Sequence, residues 1–135
     1  MIKEIIAEVT EKLKAAGNIG VYSAFDNIPA ECKKGVYAVV SMQSFESTAP
    51  IFSEHFVYIP VKAKTEISLL APPDTTAAEL YEIFDSNILP LADSMAGMSC
   101  SLSSLAIKAD SNLNRLVLKS EFSISGISRF ERSGS

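Results

Sequence analysis

The stretch Arg115-Leu116-Val117-Leu118-Lys119-Ser120-Glu121-Phe122-Ser123-Ile124-Ser125-Gly126-Ile127 decides the fold. Leu116, Leu118, Phe122 and Ile124 share one parity, with Ser120 and Gly126 between and after them. Val117, Lys119, Glu121, Ser123 and Ser125 share the other, and all but Val117 are polar. This is the period-two alternation of a strand with one buried face. Met98 to Ala109 reads as its hairpin partner, and Asp110-Ser111-Asn112 as the turn between them. Leu102 and Leu105 differ in parity, which predicts a bulge at Ser103–Ser104.

Before the hairpin, Thr76-Ala77-Ala78-Glu79 has the spacing of a capping box and opens a helix that runs to Ser94 or Met95. Its buried stripe is Ala77, Leu80, Phe84, Ile88, Leu91 and Met95. Pro90 removes a hydrogen bond inside that run, which predicts a kink or split near Ser86–Asn87. A long strand from His55 to Leu69 precedes it, apolar on odd positions and turning from aromatic to charged on even ones. Pro60 lacks the N–H that a central ladder needs, so an edge or a bulge is expected there.

Residues 2–16 read as a surface helix with Ile2, Ile5, Ile6, Val9, Leu13 and Ala16 on one stripe and Gly17–Asn18 as its stop. Gly20 to Phe25 is a short strand. Val36 to Met42 is apolar on both parities, as in a strand covered on both faces. Between them, 26–35 reads as an exposed loop holding Asn27, Pro29, Cys32, Lys33 and Lys34. The connection 43–53 carries Phe45, Ile51 and Phe52, apolar side chains that either tuck into the core or face a partner. The expected order is α–β–β–β–α–β–β: an α+β fold with a mostly antiparallel sheet and two helices on one face. Residues 1–127 form the single domain, and 128–135 are a flexible tail.

Composition narrows the function. The chain has 135 residues, 47% of them hydrophobic and 21% charged, with net charge −4 and a pI near 5.0. That supports a core and argues against a duplex nucleic-acid binder, whose basic patch is missing. No apolar run approaches the length of a membrane span, and the charged start Met1-Ile2-Lys3-Glu4 is unlike a secretory leader. Cys32 and Cys100 are far apart, in no metal-ligand spacing, and read as reduced thiols. His55 is the sole histidine, and no glycine-rich phosphate loop or GxSxG frame accompanies it. The residues therefore point to no enzyme, no cofactor and no metal. They leave a long strand arm, with Lys62, Lys64 and Glu66 on its charged face, and two loops suited to self-assembly.

The succession of elements resembles the tail terminator, or tail completion, proteins of tailed bacteriophages and of phage-derived contractile particles in Firmicutes. The resemblance is carried by the helix ending at Gly17–Asn18, the strand pair around 20–42 and Phe56-Val57-Tyr58-Ile59-Pro60-Val61. It continues through the Thr76–Met95 helix and the hairpin Ile107 to Leu118, closing with Phe122-Ser123-Ile124-Ser125-Gly126. It spans nearly the whole chain as a pattern of elements and includes no short residue motif. It implies a virion structural protein that forms a ring, typically of six subunits. Such a ring caps the head-proximal end of a tail tube assembled in the host cytoplasm and stops its growth. Its partners would be copies of itself, the tube protein, the sheath protein and the connector or collar. In that reading Asn27, Pro29, Lys33, Lys34, Phe45, Ile51 and Phe52 contact neighbours or the tube, and the strand at 62–70, with Lys62, Lys64 and Glu66, reaches the next subunit. The alternatives are another neck protein or a non-catalytic α+β binding or regulatory module.

Overall fold

The computed structural model describes residues 2–17, 19–24, 35–93, 95 and 97–132. Helix α1 (Ile2–Ala15) forms because Ile5, Val9 and Leu13 recur at helical spacing, and all three are buried. It stops at Gly17, whose φ of 79° is the left-handed cap conformation that favours glycine. Ala16 lies past the last helical residue and is exposed, unlike Ile5, Ile6, Val9 and Leu13 of its expected stripe.

Six strands follow in one sheet, ordered β1-β2-β4-β6-β5 with β3 beside β4. They are β1 (Gly20–Ser23), β2 (Tyr37–Ser47), β3 (Ile51–Phe52), β4 (Phe56–Ala71), β5 (Ser99–Asp110) and β6 (Arg115–Glu131). β1 runs parallel to β2 and every other pairing is antiparallel. The expected α+β class and order hold, with the two-residue β3 added inside the 43–53 connection.

Helix α2 (Ala77–Ile83) starts with the capping box: Glu79 N donates to Thr76 Oγ1 at 3.2 Å, and Thr76 N donates to Glu79 Oε2 at 3.4 Å. The expected split at Pro90 takes a definite form. The backbone widens into a π turn over Phe84–Ile88, where Leu89 N reaches Phe84 O, then tightens into a 3₁₀ turn over Leu89–Asp93. Proline has no N–H to give Ser86, so the regular ladder cannot pass through that position.

Both helices cover one sheet face. Leu80, Phe84, Ile88, Leu91 and Met95 close over Ala38, Val40, Ala63, Ile67, Leu69, Leu118, Phe122 and Ile124. Among the described residues no helix lies on the other face. There a smaller cluster of Tyr37, Leu70 and Val117 is flanked by Tyr22 and Val39, so β2 is covered on both sides at its start. The Tyr22 and Tyr37 rings meet edge-on at 6.2 Å. The bulge expected at Ser103–Ser104 is present: Ser103 is the unpaired residue, and its hydroxyl lies 3.0 Å from that of Ser123. The turn after β5 is built by Asp110, whose Oδ1 accepts from Asn112 N and Leu113 N.

Two buried hydroxyls in this core differ in kind. Ser120 Oγ donates to Ile67 O at 2.9 Å. Thr65 Oγ1 is buried and has no hydrogen-bond partner. An unpaired buried hydroxyl costs about 1–3 kcal/mol. Thr65→Val should therefore raise unfolding stability by about 1 kcal/mol, read as a higher urea midpoint at unchanged slope. A lower midpoint would mean that the hydroxyl is satisfied in solution.

Candidate functional site: an apolar strand arm

The sheet changes width along β4. In the body β4 lies between β2 and β6, with Ser47 opposite Val61 and Gly126 on its other side. β2 ends at Ser47, and β5 begins only at Ser99, opposite Ser125. Beyond these rows β4 and β6 continue as a pair, joined on one side by β3. The result is a three-stranded arm, 51–60 with 127–131, reaching about 17 Å past the body. No arm residue belongs to either core cluster.

Local chemistry shapes the arm. Thr48 N donates to Pro60 O at 3.1 Å, so the Pro60 nitrogen faces the same side. That side is the gap between the end of β2 and the start of β3, where no ladder donor is needed. At the tip, Ser53 N donates to Phe56 O and Phe56 N to Ser53 Oγ, closing the β3–β4 turn. Arg132 ties β6 to that turn through its backbone N to His55 O and its Nη1 to Ser53 O, both at 2.8 Å. Its guanidinium lies over the Phe52 ring, 5.7 Å from the centroid, and Arg129 lies 4.6 Å from the centroid of Phe56.

The register puts apolar side chains on both faces of the arm. Phe52, Val57 and Phe130 form one cross-strand row, and Ile51 and Tyr58 form another on the opposite face, next to Ile127 beside Pro60. Four of these are strongly exposed: Ile51 at 56%, Phe52 at 66%, Ile127 at 63% and Phe130 at 56%. Each face thus offers one pair of these side chains, on the order of 200 Å² of apolar surface that the core does not cover.

The anticipated interface residues divide three ways. Ile51 and Phe52 lie in the arm. Phe45 packs against the main core, so the first of its two expected roles applies. Lys62, Lys64 and Glu66 lie on the open face of the body, opposite Glu46, Ser44 and Ser41, and Lys119 Nζ is 3.9 Å from Glu66. The arm expected at 62–70 is thus corrected: Ala63, Ile67 and Leu69 of that segment are core, and the projecting part is 56–60. The tail expected to fray from Ser128 is also corrected, because Ser128–Glu131 pair with Ile59–Phe56. Asn27, Pro29, Lys33, Lys34 and Cys32 lie outside the described residues. Sequence reasoning missed Ile127, Arg129, Phe130 and Arg132; Phe130, the large apolar residue in the stretch 128–135 taken for a tail, and Ile127 just before it were the available signal.

The remaining chemistry is dispersed. His55 sits in the exposed tip turn, 3.9 Å from its neighbour Glu54, one residue before the strand expected to begin with it. Cys100 pairs with Ile124 in the body, about 25 Å along the strands from His55. Burial raises the Cys100 thiol from its ordinary 9.0 to about 11. In a Cys32→Ser variant, alkylation of Cys100 at pH 8 should therefore run about a hundredfold slower than in the unfolded chain. Because the unfolded thiol ionises first, the associated stability is complete below pH 9 and fades as pH rises towards 11. Fast alkylation at pH 8 would show that the strand opens. Among the described residues no group of three His, Cys, Asp or Glu side chains could hold a metal, and no helix is long and apolar enough to cross a membrane.

No protein-family model and no curated protein sequence matches the chain. Among solved structures it is similar to the type 4 fimbrial biogenesis protein PilO from Pseudomonas aeruginosa, at 8% identity over 96% of this chain and 71% of that one, with a TM-score of 0.31. It is also similar to the core region of PilO from the type IV pilus system of the same organism, at 10% identity over 69% and 81%, with a TM-score of 0.27. Likenesses at this level establish neither a shared fold nor a role.

Proposed function

We propose that this chain is a structural subunit that works by assembling, and that it is a tail terminator of a phage or phage-like particle. In this reading copies form a ring, six being typical, on the head-proximal end of the tail tube. The ring stops tube growth and meets the sheath and collar. The observation that supports assembly best is the arm: a paired three-stranded projection with Ile51, Phe52, Ile127 and Phe130 held out in water. Such surface is costly to leave exposed and is used by proteins that meet partners. The specific station on a tail rests on the order of elements described above. The test is to polymerise tube protein with and without this chain and examine the products by negative-stain electron microscopy. Capped tubes of limited length, with a ring at one end, are expected. Tubes of unchanged length with bare ends would overturn the terminator role.

A further inference from the structure

The two ends of this molecule are complementary. β4 runs about 50 Å from Phe56 at the arm tip to Ala71. At the Ala71 end, beyond the Tyr37–Leu70 pair, lies a groove of about 560 Å³. Its apolar wall is Ile19, Val36 and Ile83, each packed against the core. Its rim is acidic, formed by the exposed Glu79 and Glu82 of α2. Asn87 Nδ2 donates to Gly17 O at 2.7 Å and so joins the π turn after α2 to the end of α1 beside this groove. The segment 74–93 carries Asp74, Glu79, Glu82, Asp85 and Asp93 and no lysine or arginine, so nothing in its own sequence offsets the rim.

The arm tip presents the opposite combination. Phe52 and Phe130 project as aromatic surface, and the Arg132 guanidinium lies across Phe52. Arg132 uses one side-chain donor on Ser53 O, and among the described residues no carboxylate lies within ion-pair distance of it. An aromatic ring with a cation on it fits a groove with an apolar wall and carboxylates at its edge. Tip and groove stand at opposite poles, so one molecule cannot satisfy itself. The free sheet edges are weaker candidates, because bulges at Gln43 on β2 and at Ser103 on β5 interrupt them.

We infer that the arm tip of one copy docks into the Ile19–Val36–Ile83 groove of the next, with Phe52 on the apolar wall and Arg132 against Glu82. The occupant is a second copy of this chain. The contact is head-to-tail, the kind that generates a ring when its rotation closes. The inference rests on the self-assembly reading above and gives it a surface. Glu79 holds the α2 cap, which leaves Glu82 as the carboxylate free to pair.

Sedimentation velocity on the purified full chain tests this by charge exchange. The wild type should form oligomers as concentration rises. Arg132→Glu and Glu82→Arg should each weaken assembly at least about tenfold, since each places like charges together. Mixing these two variants in equal amounts should restore it, because each variant's arm then meets a groove of opposite sign. The double variant should also assemble alone. A folding defect cannot give recovery on mixing. A mixture that stays dissociated, or single variants that assemble as the wild type does, would overturn the contact while leaving wild-type rings in place. A wild type that stays monomeric at its highest soluble concentration would overturn it too, and tube capping would remain open to its own experiment.

Discussion

Phe122→Ala should lower unfolding stability by about 3–5 kcal/mol, the largest loss expected from one substitution in this chain. Phe122 is fully buried on β6, with Thr65 beside it on β4 and Leu102 on β5. Removing the ring forfeits its transfer energy and leaves a space that a paired sheet cannot close, because the register on both sides fixes the neighbouring strands. A domain of this size holds a total of about 5–15 kcal/mol, so the urea midpoint should fall by about a fifth or more at constant slope. A loss below about 1 kcal/mol would mean that the helical layer collapses into the gap, and the packing described here would be wrong. The neighbouring Thr65 hydroxyl sharpens the test. In the Phe122→Ala background water can reach that hydroxyl, so the gain expected from Thr65→Val should shrink, a coupling that a double-mutant cycle measures directly.

Phe122 also explains why the body of the fold is legible in the sequence. Leu116, Leu118, Phe122 and Ile124 alternate because β6 is half-buried, and the structure buries three of the four almost completely. The capping box at Thr76 and the disruption at Pro90 are equally local, so residue chemistry alone places them. What stayed hidden was pairing. Nothing in Gly20–Ser23 says that it runs parallel to β2, because direction depends on how the chain returns through residues that carry no period. Ile51–Phe52 is too short to show alternation, and it is a strand only because Tyr58 and Val57 lie opposite.

The candidate site was half legible for the same reason. The aromatic-to-charged change along the even positions of β4 is real, but it marks where the body begins rather than where the arm projects. Lys62, Lys64 and Glu66 are charged because they sit on an open, water-facing sheet. Phe56, Tyr58 and Pro60 are apolar because they belong to a projection whose outer surface is not water-adapted. Ile127 shows the same shift on β6: it falls on the parity that is polar through Ser125. A period-two reading assigns both stretches to one strand, and only the ends of β2 and β5 distinguish them.

That distinction gives the second large effect. Replacing Phe52 and Phe130 together by threonine should leave the monomer folded and remove assembly and tube capping by more than about a hundredfold. Both rings are more than half exposed, so each loses little burial on substitution, about 1 kcal/mol or less. Threonine keeps strand propensity, and the Val57 row retains a β-branched side chain on each side. The Arg132 bonds to the tip turn do not depend on the Phe52 ring, so the arm's closure survives. The energetic consequence therefore falls on association: two aromatic anchors of about 2 kcal/mol each are lost from a contact, not from a core. Thermal unfolding followed by circular dichroism, run beside sedimentation and tube-capping assays, separates the two. A large drop in Tm would place these rings in the folding core. Unchanged assembly with unchanged Tm would mean that partners meet this chain through the open sheet face of Lys62 and Lys64, and that the arm is held out for something other than its own copies.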